Sequence, residues 1–236
     1  MSQTERLIYG DHPSQYIEVW RPDGPVHALV FMIHGGFWRE VFGADLTAPI
    51  TENLSSEGYL VANIEYRRVG GGGGWPATFH DVQAAIGSVR QRFPEPVTSF
   101  AVGHSVGGQL ALLALASGLA DFGVALAPLS DIARALSEGT GDDAAADFLG
   151  DAQHAPDEVA AASPITKLGH QRSHLVVHGA RDVDVPVEHS RHYVAQARSL
   201  RAPVDYFEFA SLDHLDLIDP GSVGWHTAKQ WITSQQ

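Results

Sequence analysis

Ser105 stands in Gly103-His104-Ser105-Val106-Gly107, a G-x-S-x-G that follows the apolar run Phe100-Ala101-Val102 and opens a long helical stretch. On a sharp turn between a strand and a helix, a serine projects its hydroxyl outward, and the flanking glycines let the backbone turn without side-chain clashes. The chemistry open to such a serine is acyl transfer. That reaction needs a base to take the hydroxyl proton, an acid to fix the base, and backbone donors for the oxyanion, all drawn from distant positions.

Each of these parts has a candidate. His34-Gly35-Gly36-Phe37-Trp38 ends an apolar strand, and its glycine pair can turn backbone N–H groups toward a developing oxyanion. Gly36 and Phe37 are the expected donors there, joined by Val106 just after the serine; an ordinary Gly-Gly turn is the competing reading. For the acid, Leu175-Val176-Val177-His178-Gly179-Ala180-Arg181-Asp182 runs from a strand into a turn that ends on Asp182. Asp184 competes, but its place at a helix start gives it a capping role instead. For the base, His214 lies in a loop after the last strand, from which it can reach back over the sheet. The chain holds 13 histidines. His189, His192 and His226 fall in helical stretches, His178 falls inside a strand, and His34 and His104 have structural readings, fixing the glycine loop and packing beside the serine turn. Trp38 has two readings, a substrate-binding wall or a packing residue beneath the loop.

The elements that must position these residues alternate. Strand-like runs occur at Tyr16 to Trp20, Leu29 to Ile33, Leu60 to Tyr66, Ser99 to Gly103, Phe122 to Ala127, Leu175 to His178 and Val204 to Phe209. Helical candidates lie at Ala44 to Ser56, Pro76 to Arg92, Val106 to Ser117, Val187 to Leu200 and Val223 to Ser234. Such repetition implies a mostly parallel sheet covered on both faces, and the short Pro22-Asp23-Gly24-Pro25 turn suggests an antiparallel start. From 129 to 171 the chain is rich in Ala, Asp, Gly and Pro and has no clear strand; it reads as a small helical insertion, either a cap over the strand ends or a surface excursion. The run Gly70 to Gly74 lacks a following G-K-[ST] and reads as a flexible loop; Asp81 reads either as orienting a nearby loop or, by preference, as an exposed first-turn acid.

Composition narrows the function classes. The 236 residues fit one domain, and 15 Lys+Arg against 28 Asp+Glu give a net charge of −13, which repels phosphate backbones and anionic membranes. The expected partner is a small ester or amide molecule, with at most a second copy of the chain as a homodimer, and no nucleic acid or membrane. There are no cysteines, so disulfides and thiolate metal sites are excluded. Met1 to Tyr9 has no apolar signal core, and the apolar stretch Leu110 to Leu129 is broken by Ser117, Gly118, Asp121 and Gly123, so a cytoplasmic protein is expected.

The order Ser105, Asp182, His214 with a glycine loop ahead of them resembles the α/β-hydrolase superfamily, from about Ile17 to Trp231. Within it, the His34 to Trp38 motif, the Ser105 pentapeptide and Asp213-His214-Leu215-Asp216 look like the esterase/lipase group that includes arylformamidases (kynurenine formamidases). Hormone-sensitive-lipase-like esterases carry a third glycine where this chain has Phe37. The resemblance implies a single domain, 1–236, built on a mostly parallel sheet of about eight strands with an insertion after strand six. It implies a serine hydrolase of small esters or aryl formamides, with no metal and no cofactor. A prolyl-oligopeptidase-like peptidase and a non-catalytic binding protein on the same fold are the alternatives.

Overall fold

A computed structural model describes residues 3–94, 97–169 and 172–236. Its strands are β1 (Gln3–Ile8), β2 (Tyr16–Arg21), β3 (Leu29–Ile33), β4 (Leu60–Ile64), β5 (Ser99–His104), β6 (Phe122–Leu126), β7 (His174–Gly179) and β8 (Val204–Phe209). They form one sheet in the order β1-β2-β4-β3-β5-β6-β7-β8. Strands β3 to β8 run parallel, whereas β2 is antiparallel to both β1 and β4. The antiparallel start is real, but it is not a pairing of β2 with its successor β3. β3 is apolar and buried along its whole length, so it takes the interior place between β4 and β5, and the half-buried β2 is left to pair outside β4.

The edge strand β1 was not among the sequence candidates. Its residues, Gln-Thr-Glu-Arg-Leu-Ile, are mostly polar because it faces solvent, and Arg6 pairs with Glu18 of β2 at 3.3 Å. Charged side chains on an edge oppose pairing with another chain, and the same charges erase the apolar signature of a strand.

The helices are α1 (Ala48–Ser56), α2 (Ala77–Arg92), α3 (Val106–Ala116), α4 (Ile132–Glu138), α5 (Ala144–Leu149), α6 (Pro156–Ala162), α7 (Glu188–Ser199) and α8 (Val223–Ser234). Successive strand residues point to opposite faces, so Leu29, Phe31 and Ile33 pack with α2 and α3, and Val30 and Met32 with α1 and α8. On the α3 side, α7 covers Ala125 and Val176 through Tyr193, Val194 and Ala197. With both faces covered, the central strands bury every residue and read as continuous apolar runs.

Between β6 and β7 lie α4, α5, α6 and two 3-10 turns; positions 170 and 171, where the sequence ends its insertion, fall outside the described residues. The glycine run 70–74 closes a compact turn in which the Gly71 and Gly73 amides both donate to the Arg68 carbonyl. Asp81 is not exposed. It is 2% accessible and receives Arg67 Nε and Nη2 at 2.8 and 2.7 Å and Gln15 Nε2 at 2.8 Å, tying the β4–α2 connection to the N-terminal hairpin. No helix among the described residues is long and apolar enough to cross a membrane.

Candidate active site

The four segments singled out in the sequence all follow the carboxyl ends of parallel strands: His34 after β3, Ser105 after β5, Asp182 after β7 and His214 after β8. In an open α/β sheet that edge is where a crevice forms.

Ser105 takes φ 57° and ψ −124° between β5 and α3, a strained conformation for a residue with a Cβ. The strain is held from both sides. A Cβ on Gly103 would lie 2.1 Å from the Gly107 carbonyl oxygen, and one on Gly107 would lie 2.2 Å from that of Ile33, so the strand-to-helix turn closes only with glycine at both places. The Ser105 amide donates to the Leu126 carbonyl at 2.8 Å, which anchors the turn to β6. Val106 is the first residue of α3, where amides have no intrahelical acceptor.

The loop after β3 reaches the same point. A Cβ on Gly35 would meet Ser105 Cβ at 3.0 Å, so the loop backbone lies directly against the serine. Gly36, Phe37 and Trp38 all have positive φ, at 105°, 53° and 53°, and the Arg39 amide closes the turn onto the Gly36 carbonyl at 2.9 Å. Two consecutive non-glycine residues in this region cost on the order of 1–3 kcal/mol each, so the surroundings must fix the turn. His34 does so from below: it is fully buried, stacks on Tyr66 at 4.3 Å, and bonds the Gly35 carbonyl through Nδ1 at 2.8 Å. Burial pushes its imidazole down to about 3, which keeps it neutral. From above, Trp38 is 1% exposed, stacks on Phe148 of α5 at 4.2 Å, and donates Nε1–H to Gln109 Oε1 at 3.1 Å. Its ring therefore packs between the loop and α5, whereas Phe37 is half-buried at the rim.

Asp182 and His214 form a close couple, with His214 Nδ1 2.6 Å from Asp182 Oδ2. The backbone amides of Asp184 and Val185 donate to Oδ1 at 2.9 and 2.8 Å, so Asp184 helps to hold the acid through its main chain. Burial works against the charge of Asp182, but bonds from His178, His214 and the Val185 amide outweigh it and hold the carboxyl below the usual carboxylate range. Ligand atoms of Asp182, Asp184 and His214 lie within 4.8 Å of one another, a spacing that suits a metal as well. The 2.6 Å bond, however, already engages both Asp182 Oδ2 and His214 Nδ1 in an acid–base couple. The couple is fastened to the serine turn by His104, whose Nε2–H donates to the His214 carbonyl at 2.9 Å while its ring sits 4.3 Å from that of His214. Burial first, then the nearby His214, drive His104 down to about 3, so it stays a neutral donor.

Sequence reasoning missed three supporting residues. Glu65 accepts the Ala44 and Tyr66 amides at 2.9 and 3.0 Å and contacts His34 and Arg68 beneath the glycine loop. Gln109 holds both Trp38 and the Ala162 carbonyl of α6, and it carried a signal: a lone amide in a helix that is buried on all sides. His178 contacts Asp182 from four residues upstream. Gln109→Leu should orphan the Trp38 indole N–H and the Ala162 carbonyl, at about 1–3 kcal/mol each, and lower the melting temperature. An unchanged melting temperature would show that the loop is held without this bridge.

A groove of about 650 Å³ opens between the glycine loop, the α4–α5 connection and the acid loop, lined among others by Phe37, Arg39, Gly141, Val183 and Asp184. Arg39 donates to the Asp142 carbonyl at 2.8 Å, and Gly141 lies so close to the Phe37 ring that a Cβ there would come within 2.4 Å of it.

With this geometry in view, a family model described as BD-FAE matches residues 21–122. The chain is 30% identical over 249 residues to Esterase LipC of Mycobacterium tuberculosis, covering 93% of this chain and 61% of that protein. It is 32% identical over 117 residues to a kynurenine formamidase of Meyerozyma guilliermondii, covering 48% of this chain and 42% of that one. The chain thus spans less than two thirds of the length of these curated relatives. Among solved structures, a truncated carbohydrate esterase from gut microbiota superposes with a TM-score of 0.86 at 20% identity, covering 100% of this chain and 96% of that one, and shares the fold.

Proposed function

We propose that this chain, a member of the esterase/lipase group of α/β-hydrolases, is a serine hydrolase in which Ser105 is the nucleophile, His214 the general base and Asp182 the acid that orients it. The observation that carries the reading is the strained Ser105 turn with the short Asp182–His214 couple fastened to it through His104. His214 takes the hydroxyl proton as Ser105 attacks a carbonyl, and Asp182 stabilises the imidazolium. The amides of Gly36, Phe37 and Val106 receive the oxyanion. Water then repeats the attack on the acyl enzyme, with His214 again as base.

The substrate we favour is a small ester with an apolar arm. Four of the exposed large apolar side chains belong to the segments that build the site: Val41 and Phe42 just after the glycine loop, Val183 beside Asp182 and Leu215 beside His214. Val183, 88% exposed, lines the groove beside the acid loop, so an apolar leaving group seated there would cover surface that water now wets. The aryl formamide reading shares the same machinery, and the His34 to Trp38 motif and the formamidase relative support it.

A fluorophosphonate should label Ser105 on the wild type and leave Ser105→Ala unlabelled; no adduct, or equal labelling of both, would overturn the nucleophile. Among acetate esters, kcat/KM should rise as the leaving group grows more apolar at constant reactivity. Turnover of N-formylkynurenine without p-nitrophenyl acetate would replace the ester reading with the formamide one.

A further inference from the structure

The acid of the couple is shared by two imidazoles. His178, at the end of β7 and fully buried, places Nε2 3.1 Å from Asp182 Oδ2 and 2.9 Å from the Val185 carbonyl oxygen. Both partners are acceptors, so Nε2 carries the proton and donates to both. Its Nδ1 lies 2.7 Å from Ser190 Oγ of α7, which locks the ring from the other side. Asp182 Oδ2, the atom that accepts from His214 at 2.6 Å, therefore accepts from His178 as well, while Oδ1 takes two backbone amides.

We propose that His178 is a positioning residue for this couple: its Nε2–H holds the Asp182 carboxylate in register with His214 and restrains the basicity of the carboxylate. The inference rests on the reading of Ser105, Asp182 and His214 given above. A donor on Oδ2 withdraws negative charge that would otherwise stabilise a protonated His214. Removing that donor should make His214 hold its proton to higher pH, so the acid limb of the reaction shifts upward. The other titratable groups around His178 are few. His104 packs against His214, Asp184 lies on the acid loop, and Glu208, opposite His178 on β8, is already paired with Arg191 at 2.6 and 2.9 Å.

The test is the rate of fluorophosphonate inactivation against pH, a readout that needs no physiological substrate. His178→Leu, which lacks the donor, should move the acid limb up by roughly 0.5–1 pH unit. His178→Gln, whose amide N–H can occupy the place of Nε2–H, should restore most of the wild-type limb. If the leucine variant does not fold, His178→Asn removes the same contact, because its amide is too short to reach Asp182. A limb unmoved in a folded Leu or Asn variant, or a Gln limb no closer to wild type than theirs, would overturn the proposal while leaving the nucleophile intact. Failure of the wild type to label at all would instead remove the reading on which the proposal rests.

Discussion

Ser105→Ala should fold as the wild type does and lose turnover by a factor of about 10⁴ or more, since removing the nucleophile elsewhere has cost up to about 10⁶ in kcat. Folding should survive because the turn is fixed by its backbone: the Ser105 amide bond to Leu126 and the close approach of Gly103 to Gly107 do not involve the hydroxyl. Alanine occupies φ 57° no less readily than serine does, so the melting temperature should stay near its wild-type value. The measurement is kcat on p-nitrophenyl acetate together with a thermal melt. Residual turnover within tenfold of wild type, in a protein that melts normally, would mean that Ser105 does not attack.

Asp182→Asn should cost about 10⁴ in kcat, the magnitude seen when a triad acid becomes an amide elsewhere. The reason is visible in the partners of Asp182, whose Oδ1 accepts two backbone amides and whose Oδ2 accepts two ring N–H groups. An asparagine can leave its oxygen with the backbone amides only by turning its NH₂ toward His178 and His214. His214 must then present an unprotonated Nδ1 and carry its proton on Nε2, the nitrogen that has to receive the serine proton. Asp184→Asn is the matched control. Its main-chain amide reaches Asp182, and the substitution leaves that amide in place, so kcat should change by no more than about twofold, in line with an ordinary surface substitution. Equal losses in the two variants would show that the acid had been assigned to the wrong carboxylate.

Much of this site could be read from the sequence because three of its parts, the glycine loop, Ser105 and Asp182, follow strands whose apolar runs are unmistakable. Leu29 to Ile33, Ser99 to Gly103 and Leu175 to His178 are interior strands buried on both faces, and the residue after such a strand falls at the carboxyl edge of the sheet. Strand β1 was invisible for the opposite reason, since an edge strand facing water keeps Glu5 and Arg6. Asp81 had two readings, of which the loop-orienting one holds, because its partner Arg67 comes from the preceding loop and no periodicity records that pairing. Trp38 had two readings because a tryptophan beside a glycine loop serves as a wall or as a support; its stacking on Phe148, 110 residues away in the chain, could not be anticipated from local pattern.

The sequence by itself determined the alternation of strands and helices from Tyr16 onward outside the 129–171 insertion, the turn at Ser105 and the candidates for acid, base and oxyanion donors. These depend on local rules, namely strand periodicity, glycine at close approaches and the place of a residue after a strand. Only the tertiary structure put Asp182 Oδ2 within 2.6 Å of His214 Nδ1, placed β2 beside β4, and brought His178 onto the oxygen that His214 uses. Those outcomes depend on which donors converge on one buried atom and on which strand buries both faces, and both are set by chain segments far apart in sequence.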